Sequence, residues 1–207
     1  MQKFSIYIKS DKFYWSQETI IYSIIFSSLF LMFFKEKFLQ IEKNFIDTLL
    51  GFLSVGAFCV GIILKIYNLH KIEPLHGKLE GYLSLEKKSI TVGNEFYPIE
   101  EVRNIQISND DYVGRMAHYA KGNLGPALSN GIHNYIVIHF ETGKSKRYNF
   151  EMVNSDDFQN LRETLIDYHL IGKIEYWELA KVLDEKSTSE TLALTNEIEK
   201  RHALLKI

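Results

Sequence analysis

The longest irregular stretch of the sequence, residues 110–131, carries side chains that could bind an anion. Arg115, His118 and Lys121 offer positive charge or N–H donors, and Asn130 adds a side-chain amide near the end of the stretch. Four glycines would let backbone amides approach a bound group closely. Long loops inside a domain are often functional. We therefore treat this stretch as a candidate binding loop. The alternative is a surface loop that only joins two strands.

A compact basic cluster follows a predicted hairpin turn and consists of Lys144, Lys146 and Arg147. Such a cluster is typical of a solvated hairpin tip, and it could also contact lipid headgroups or an acidic partner. The chain as a whole has a formal net charge of −2, and the residues after Ile66 carry 17 basic against 21 acidic side chains. A domain of that sign lacks the dense positive field that nucleic acid attracts. We predict no nucleic-acid partner.

The remaining polar residues form no recognisable catalytic or metal-binding motif. The seven histidines are scattered without an HExxH pattern, and the one cysteine, Cys59, lies in an apolar run. His139 and Glu141 could place two metal ligands on one strand face, but a hydrogen-bonded strand histidine is the simpler interpretation. We expect no cofactor, no metal and no enzymatic activity. An enzyme acting on a membrane-associated substrate is an alternative, which would need a concave site around Arg115, His118 and His139.

Two uncharged apolar runs near the start of the chain predict a transmembrane hairpin. Residues 19–34 and 48–64 contain no charge, and their flanks extend them to helices of about residues 14–34 and 46–66. Neither run has the polar stripe of an amphipathic surface helix. Buried core helices and a cleaved signal peptide are the alternatives, and both fit less well.

Lysines around the two runs indicate the orientation of the hairpin. Six lysines lie on the side that holds both flanks, against three in the connecting loop. Cytoplasmic segments carry the excess of positive charge. The sequence therefore predicts a protein integral to the cytoplasmic (inner) membrane, with both termini and the C-terminal domain in the cytoplasm and the lipid bilayer as one partner.

Small residues in the second run form a stripe on one helix face: Gly51, Ser54, Ala57 and Gly61. Ser23 and Ser27 offer a matching pair in the first run. Because small residues let helices approach closely, we expect the two helices to pack on each other with hydroxyl hydrogen bonds between them. A homo-oligomeric seam or a pore is the alternative.

The rest of the chain predicts one α+β domain. Period-two alternation over residues 79–107 and 135–150 indicates six or seven short antiparallel strands, the number in a small barrel or sandwich. A helix from Asp156 to Leu170 follows, with an apolar face that would cover the sheet.

Two more helices are predicted after Gly172. A short one includes Tyr176, and the next opens with a capping box of Ser187 and Glu190 and runs to about Leu205. The last helix is interpreted as either a surface arm or a partner-binding helix.

Three stretches resemble the bacterial pleckstrin-homology-like domains, many of which are tethered by a two-helix hairpin. They are Gly81-Tyr82-Leu83-Ser84-Leu85, Ser89-Ile90-Thr91-Val92 and Tyr97-Pro98-Ile99-Glu100-Glu101-Val102-Arg103-Asn104-Ile105. The sequence predicts three parts, of which the resemblance covers the hairpin and about residues 77–170. The N-terminal segment and transmembrane hairpin would occupy residues 1–69, an antiparallel β-barrel capped by a helix residues 70–171, and a helical extension residues 172–207.

The same resemblance implies a domain that binds protein, peptide or lipid and that has no defined catalytic set. We therefore expect a membrane-anchored binding or scaffold protein that binds a protein partner or itself. A lipid-headgroup-binding module is the first alternative. The sequence specifies no small-molecule ligand.

Overall fold

The computed structural model describes residues 2–42, 44–116 and 123–204. The elements in chain order are β1 (Phe4–Lys9), α1 (Gln17–Lys37), α2 (Phe45–Asn68), β2 (Gly77–Glu86), β3 (Ser89–Val92), β4 (Glu95–Pro98), β5 (Val102–Ser108), β6 (Val113–Met116), β7 (Leu128–Asn130), β8 (Asn134–Phe140), β9 (Ser145–Phe150), α3 (Arg162–Leu170), α4 (Tyr176–Val182) and α5 (Thr188–Leu204). Short 3₁₀ helices at Ile99–Glu101 and Asp157–Leu161 precede β5 and α3.

The described residues fall into two compact units. Residues 2–10, 75–115 and 130–204 form the first, which we call the sheet unit. Residues 11–74 and 116–129, so far as they are described, form the second, which we call the hairpin unit.

Seven antiparallel strands form the main sheet, in the order β4-β3-β2-β1-β9-β8-β5, and β6 pairs with β7 in a separate two-stranded sheet. β1 lies between β2 and β9: Phe4 is paired with Leu83, and Ile6 with Phe150. Residues 2–10 therefore belong to the sheet unit. In the predicted division, residues 1–69 form one N-terminal segment with the hairpin.

The sheet is not closed, so the predicted β-barrel is wrong, although the α+β class is confirmed. β4 and β5 are its two edges. The amide of Ile107 on the β5 edge donates to the buried carboxylate of Glu178 at 2.9 Å, and the amide of Ile105 donates to the carbonyl of Lys173 at 2.8 Å. Because these groups occupy the edge of β5, they satisfy amides that β4 would bind in a closed barrel.

The helices after β9 pack on the sheet and complete its core. The ring of Phe158 stacks on that of Phe4, with centroids 4.8 Å apart. Leu179 of α4 and Leu194 of α5 are also fully buried in this core. α4 and α5 therefore belong to the same compact unit as the sheet.

The predicted capping box of α5 is confirmed. Ser187 Oγ accepts a hydrogen bond from the amide of Glu190 at 3.2 Å, and the Glu190 carboxylate accepts one from the amide of Ser187 at 2.8 Å. Arg162 of α3 pairs with Glu197 at 2.9 Å. Together with the buried Leu194, this ion pair packs α5 onto the unit instead of leaving it as a free arm.

In the hairpin unit, α1 and α2 pack on each other, and both are long and apolar enough to cross a membrane. They have 21 and 24 residues, and at 1.5 Å per residue each is about as long as the hydrocarbon core is thick. Ser16 caps α1 by accepting from the amide of Thr19, and Asn44 and Asp47 form a capping box on α2. Most of the apolar surface of both helices is exposed, as a lipid-facing helix pair requires.

The small-residue stripe of α2 contains the more buried positions of that helix. Ser54 and Gly61 are buried, and Gly51 and Ala57 are half-buried. The Ser54 hydroxyl donates to the carbonyl of Leu50 in its own helix at 3.0 Å, so it does not bridge to α1. Local bonding of this kind is common for serine within helices.

The packing face of α1 differs from the prediction. Ile21 and Ser28 are its buried residues, whereas Ser23 and Ser27 are exposed. Residues 21 and 28 are two turns apart and share a face, while residues 23 and 27 lie on another. The predicted pairing of Ser23 and Ser27 with the stripe is therefore wrong, and it is Ile21 that lies near Gly61 of the stripe.

Candidate functional site

The predicted binding loop is described only in part, since His118 and Lys121 lie outside the described residues. The Arg115 side chain is exposed, and its guanidinium donates to the carbonyl of Asp110. Asn130 is buried. The two described members of the loop set thus occupy different environments, one at the surface and one in the interior.

A buried polar network fixes the base of this loop within the sheet unit. Asn134 accepts from the amide of Asp111 at 2.9 Å and donates to the carbonyls of Asp111 and Gly131, each at 2.8 Å. Gly131 has φ +76°, and a Cβ at this position would lie 2.3 Å from the carbonyl oxygen of Met152. Position 131 therefore requires glycine, and the chain leaves the sheet from a fixed point.

The three residues of the predicted basic tip do not share one surface. Lys144 is exposed in the turn before β9. The Lys146 ammonium donates to Glu95 at 2.7 Å, whereas the Arg147 guanidinium lies 3.7 Å from the ring centroid of Tyr135. Successive side chains of a strand point to opposite faces. Lys146 and Arg147 are therefore neighbours in sequence but do not form one cationic surface.

Lys146 belongs instead to a polar cluster that joins β4 to β9, formed with Glu95, Tyr97 and Tyr148. Both tyrosine hydroxyls donate to Glu95, at 2.6 Å from Tyr97 and 2.5 Å from Tyr148, and Lys146 also donates to the Tyr97 oxygen at 2.9 Å. Hydrogen bonds from Lys146, Tyr148 and Tyr97 lower the pKa of Glu95 to about 2. Burial, with the neighbouring carboxylate, raises the pKa of Tyr148. We call these four residues the Glu95 cluster.

Sequence reasoning missed Glu95, Tyr97 and Tyr148, although a signal was present. Glu95 and Tyr97 are two residues apart in one strand, and Lys146 and Tyr148 are two residues apart in another. Each pair therefore shares a strand face. Nothing in the sequence indicated that β4 and β9 approach each other.

A cleft of about 490 Å³ opens beside the Glu95 cluster, where β1 and β9 diverge. β1 and β9 are paired only at Ile6 with Phe150 and at Tyr7 with Asn149. On its other side, β9 is paired with β8 from Ser145 onward. The lining includes apolar side chains, namely Ile6, Ile8 and Val92, and polar ones, namely Tyr7, Lys9, Glu80, Arg147, Tyr148 and Asn149.

This cleft combines the two features that strand recognition needs. Among the described residues, β9 is paired with β1 only at Asn149 and Phe150. The preceding residues of β9 therefore have the cleft, and not a strand, on their β1 side. Main-chain groups on such an edge can pair with an added extended segment. Lys9 and Arg147 outnumber Glu80 among the charged lining residues, which favours a segment with carboxylates.

His139 is a hydrogen-bonded strand residue. Its Nδ1 lies 2.7 Å from Ser145 Oγ, and the neighbouring Glu141 pairs with Lys173 at 3.7 Å. Among the residues that the structure describes, no group of three or more His, Cys, Asp or Glu side chains is placed to hold a metal ion.

Comparisons with protein-family models, with curated proteins and with solved structures found no match to this chain. The resemblance to pleckstrin-homology-like domains therefore stays a prediction. Any function has to rest on the geometry of the molecule itself.

Proposed function

We propose that this chain is a membrane-anchored binding protein that holds an extended acidic segment of a protein partner in the β1–β9 cleft. In this proposal the apolar helix pair spans the cytoplasmic (inner) membrane, and the sheet unit, which resembles a pleckstrin-homology-like domain, recruits the partner without catalysis. The observation that carries the proposal is the cleft itself, with an uncovered strand edge and two cations in its lining.

The sheet supports the proposed topology of the hairpin. β1 precedes α1 and β2 follows α2, yet the two strands are neighbours in one sheet. Two strands of one sheet lie on the same side of a bilayer. A hairpin that spans the bilayer would therefore have both flanks on one side, and the six-to-three excess of lysines there favours the cytoplasm.

The division of the basic residues favours a protein partner over a lipid headgroup. A headgroup phosphate would need several cations that converge on one point. Lys146 is paired with Glu95, and Arg147 lies over Tyr135 on the other strand face. Neither the turn nor β9 presents such a convergent set.

Charge reversal at matched positions tests the proposal. Arg147→Glu places a negative charge in the cleft, while Lys144→Glu makes the same change in the exposed turn outside it. Full-length wild type and both variants are cross-linked in cells, extracted in mild detergent and analysed by mass spectrometry. We expect a partner that is recovered with wild type and Lys144→Glu and is depleted about tenfold or more with Arg147→Glu.

Three results would count against this function. Equal recovery with both variants would exclude the cleft as the binding site. Recovery of this chain alone, with equal yield from Arg147→Glu, would point to self-association elsewhere. Salt-sensitive flotation with anionic vesicles that both substitutions weaken would favour the lipid-headgroup alternative.

A further inference from the structure

Residues 123–128 are fastened to one end of the helix pair in the hairpin unit, and we call them the strap. The Glu18 carboxylate at the start of α1 accepts hydrogen bonds from the amides of Leu124 and Gly125, at 3.1 and 2.8 Å. A Cβ at position 125 would lie 3.0 Å from that carboxylate oxygen, so the close approach favours glycine. One carboxylate thus satisfies two successive backbone amides of the strap.

Asn68, the last residue of α2, connects both helices to the strap. Its side-chain amide donates to Gln17 of α1 and to the carbonyl of Leu124, each at 2.8 Å. Its own carbonyl accepts from the amide of Ala127 at 3.0 Å. With 2% of its surface exposed, Asn68 is a buried polar residue whose bonding groups are used in this junction.

The strap continues along the chain after α2 and also packs on the helices. The amide of Leu128 donates to the carbonyl of Lys71 at 3.0 Å. The Leu124 side chain is buried, and its Cδ1 lies 3.4 Å from the place where a Cβ on Gly61 would be. Ile21 of α1 comes within 3.6 Å of that same point. Leu124 therefore lies against α2 at Gly61, beside Ile21 of α1.

We infer that the strap is a conformational coupling device that stays attached only while α1 and α2 keep their present spacing. Its attachments come from both helices, since Glu18 belongs to α1 and Asn68 and Gly61 belong to α2. Gln17 of α1 also accepts from Asn68. If the helices separated, neither helix alone would hold all the contacts of the strap. Packed interfaces of this kind switch between discrete arrangements instead of deforming continuously.

A short stretch of chain connects the strap to the sheet unit. Directly after the strap come Ser129 and Asn130, and then Gly131, which the buried Asn134 network holds. Only two residues, Ser129 and Asn130, therefore separate the strap from the bonded Gly131. This role differs from anion binding, the function that the sequence suggested for the loop.

Two glycines of α2 offer a matched test. Leucine at Gly61 would overlap Leu124 and Ile21, whereas Gly56 has no other residue within 4 Å of its Cβ position. Hydrogen exchange is measured on full-length Gly61→Leu, Gly56→Leu and wild type in lipid nanodiscs. We expect the amides of Leu124, Gly125, Ala127 and Leu128 to exchange about tenfold or more faster in Gly61→Leu and at the wild-type rate in Gly56→Leu.

Asn68→Ala provides a second variant that leaves the helix-packing surface of Gly61 intact. It should raise exchange at the same four amides, while the amides of β8 and β9 stay protected. Unchanged strap exchange in a folded, membrane-inserted Asn68→Ala protein would overturn the inference. So would equal effects of leucine at positions 56 and 61, because the strap would then not sense helix spacing.

Discussion

Glu95 shows how one side chain can organise two distant strands. Its carboxylate accepts hydrogen bonds from Lys146, Tyr148 and Tyr97, and these bonds join an edge strand to β9 beside the cleft. The carboxylate is half-exposed, so solvent screens part of the interaction. Its main effect is to fix the positions of the two tyrosine rings.

The lowered pKa of Glu95 predicts a defined pH dependence of stability. The pKa falls from an ordinary value of 4.5 to about 2 in the folded protein. The ionised carboxylate therefore stabilises the fold above about pH 4.5, and this contribution is lost as the pH falls from 4.5 to 2. Glu95→Gln should lower the urea midpoint of the sheet unit at pH 6 and differ little from wild type near pH 2.

The measurement is tryptophan fluorescence against urea at a series of pH values, in nonionic detergent. Glu100→Gln, at an exposed position of a 3₁₀ helix, is the control and should shift the midpoint little. A difference between Glu95→Gln and wild type that stays constant from pH 6 to 2 would contradict the prediction.

Tyr168 makes a second residue-level contribution, between α3 and the turn that joins β2 to β3. Its buried hydroxyl donates to the carbonyls of Glu86 and Ser89, at 2.5 and 3.1 Å, and burial raises its pKa. Tyr168→Phe would leave both carbonyls without this donor. We expect a loss of about 1–3 kcal/mol in the free energy of unfolding. Tyr82→Phe, at an exposed ring, should cost far less in the same urea titration.

Among the elements, β1 has the largest influence on the fold. It supplies Phe4 to the core, where the ring contacts Phe150 and Phe158 with centroids 5.2 and 4.8 Å away. It also separates β2 from β9 in the sheet. Without this strand, the sheet would be divided into two parts that do not pair.

A matched pair of phenylalanines tests the role of β1. Phe4 is 2% exposed, whereas Phe13, a few residues later, is 78% exposed. Phe4→Ala should reduce the free energy of unfolding of the sheet unit by about 3–5 kcal/mol, because it leaves a cavity among aromatic rings. Phe13→Ala should leave it almost unchanged. Similar urea midpoints for the two variants would mean that β1 is not part of the stable core.

The elements that could be predicted from the sequence are those with strong local patterns. Alternation identified β2, β3, β8 and β9, and the apolar runs identified α1 and α2. β1 was missed because it is only six residues long and its partners, β2 and β9, are far away in the sequence. Closure of the sheet was also mispredicted, since the donation from Ile107 to Glu178 joins residues 71 positions apart.

The candidate site was predictable to a smaller degree. The basic residues at Lys146 and Arg147 were identified, and strand alternation alone would have placed them on opposite faces. The position of the cleft depends on the point at which β1 is no longer paired with β9. No local pattern reports such a divergence, because it is a property of two strands about 140 residues apart.

At the scale of the whole molecule, the strands before and after the helix pair belong to one sheet. This arrangement predicts which parts of the chain are accessible from each side of the membrane. In a Cys59→Ala background, single cysteines are placed at Glu42, between the helices, and at Lys144, in the sheet unit. A membrane-impermeant maleimide should label Glu42→Cys in intact cells and Lys144→Cys only after lysis.

Labelling of both positions in intact cells would contradict the cytoplasmic orientation. Protein that stays soluble after ultracentrifugation without detergent would contradict membrane insertion altogether. A control with Phe13→Cys, on the same flank as β1, should follow Lys144→Cys.

The position of β1 also has a consequence for biosynthesis. This strand emerges from the ribosome before its neighbour β9, which is completed only when residue 150 has been translated. In the interval β1 can pair with β2, but its β9 edge stays open. Unpaired strand edges favour aggregation, so a chaperone that covers this edge until translation ends would raise the yield of correctly assembled protein.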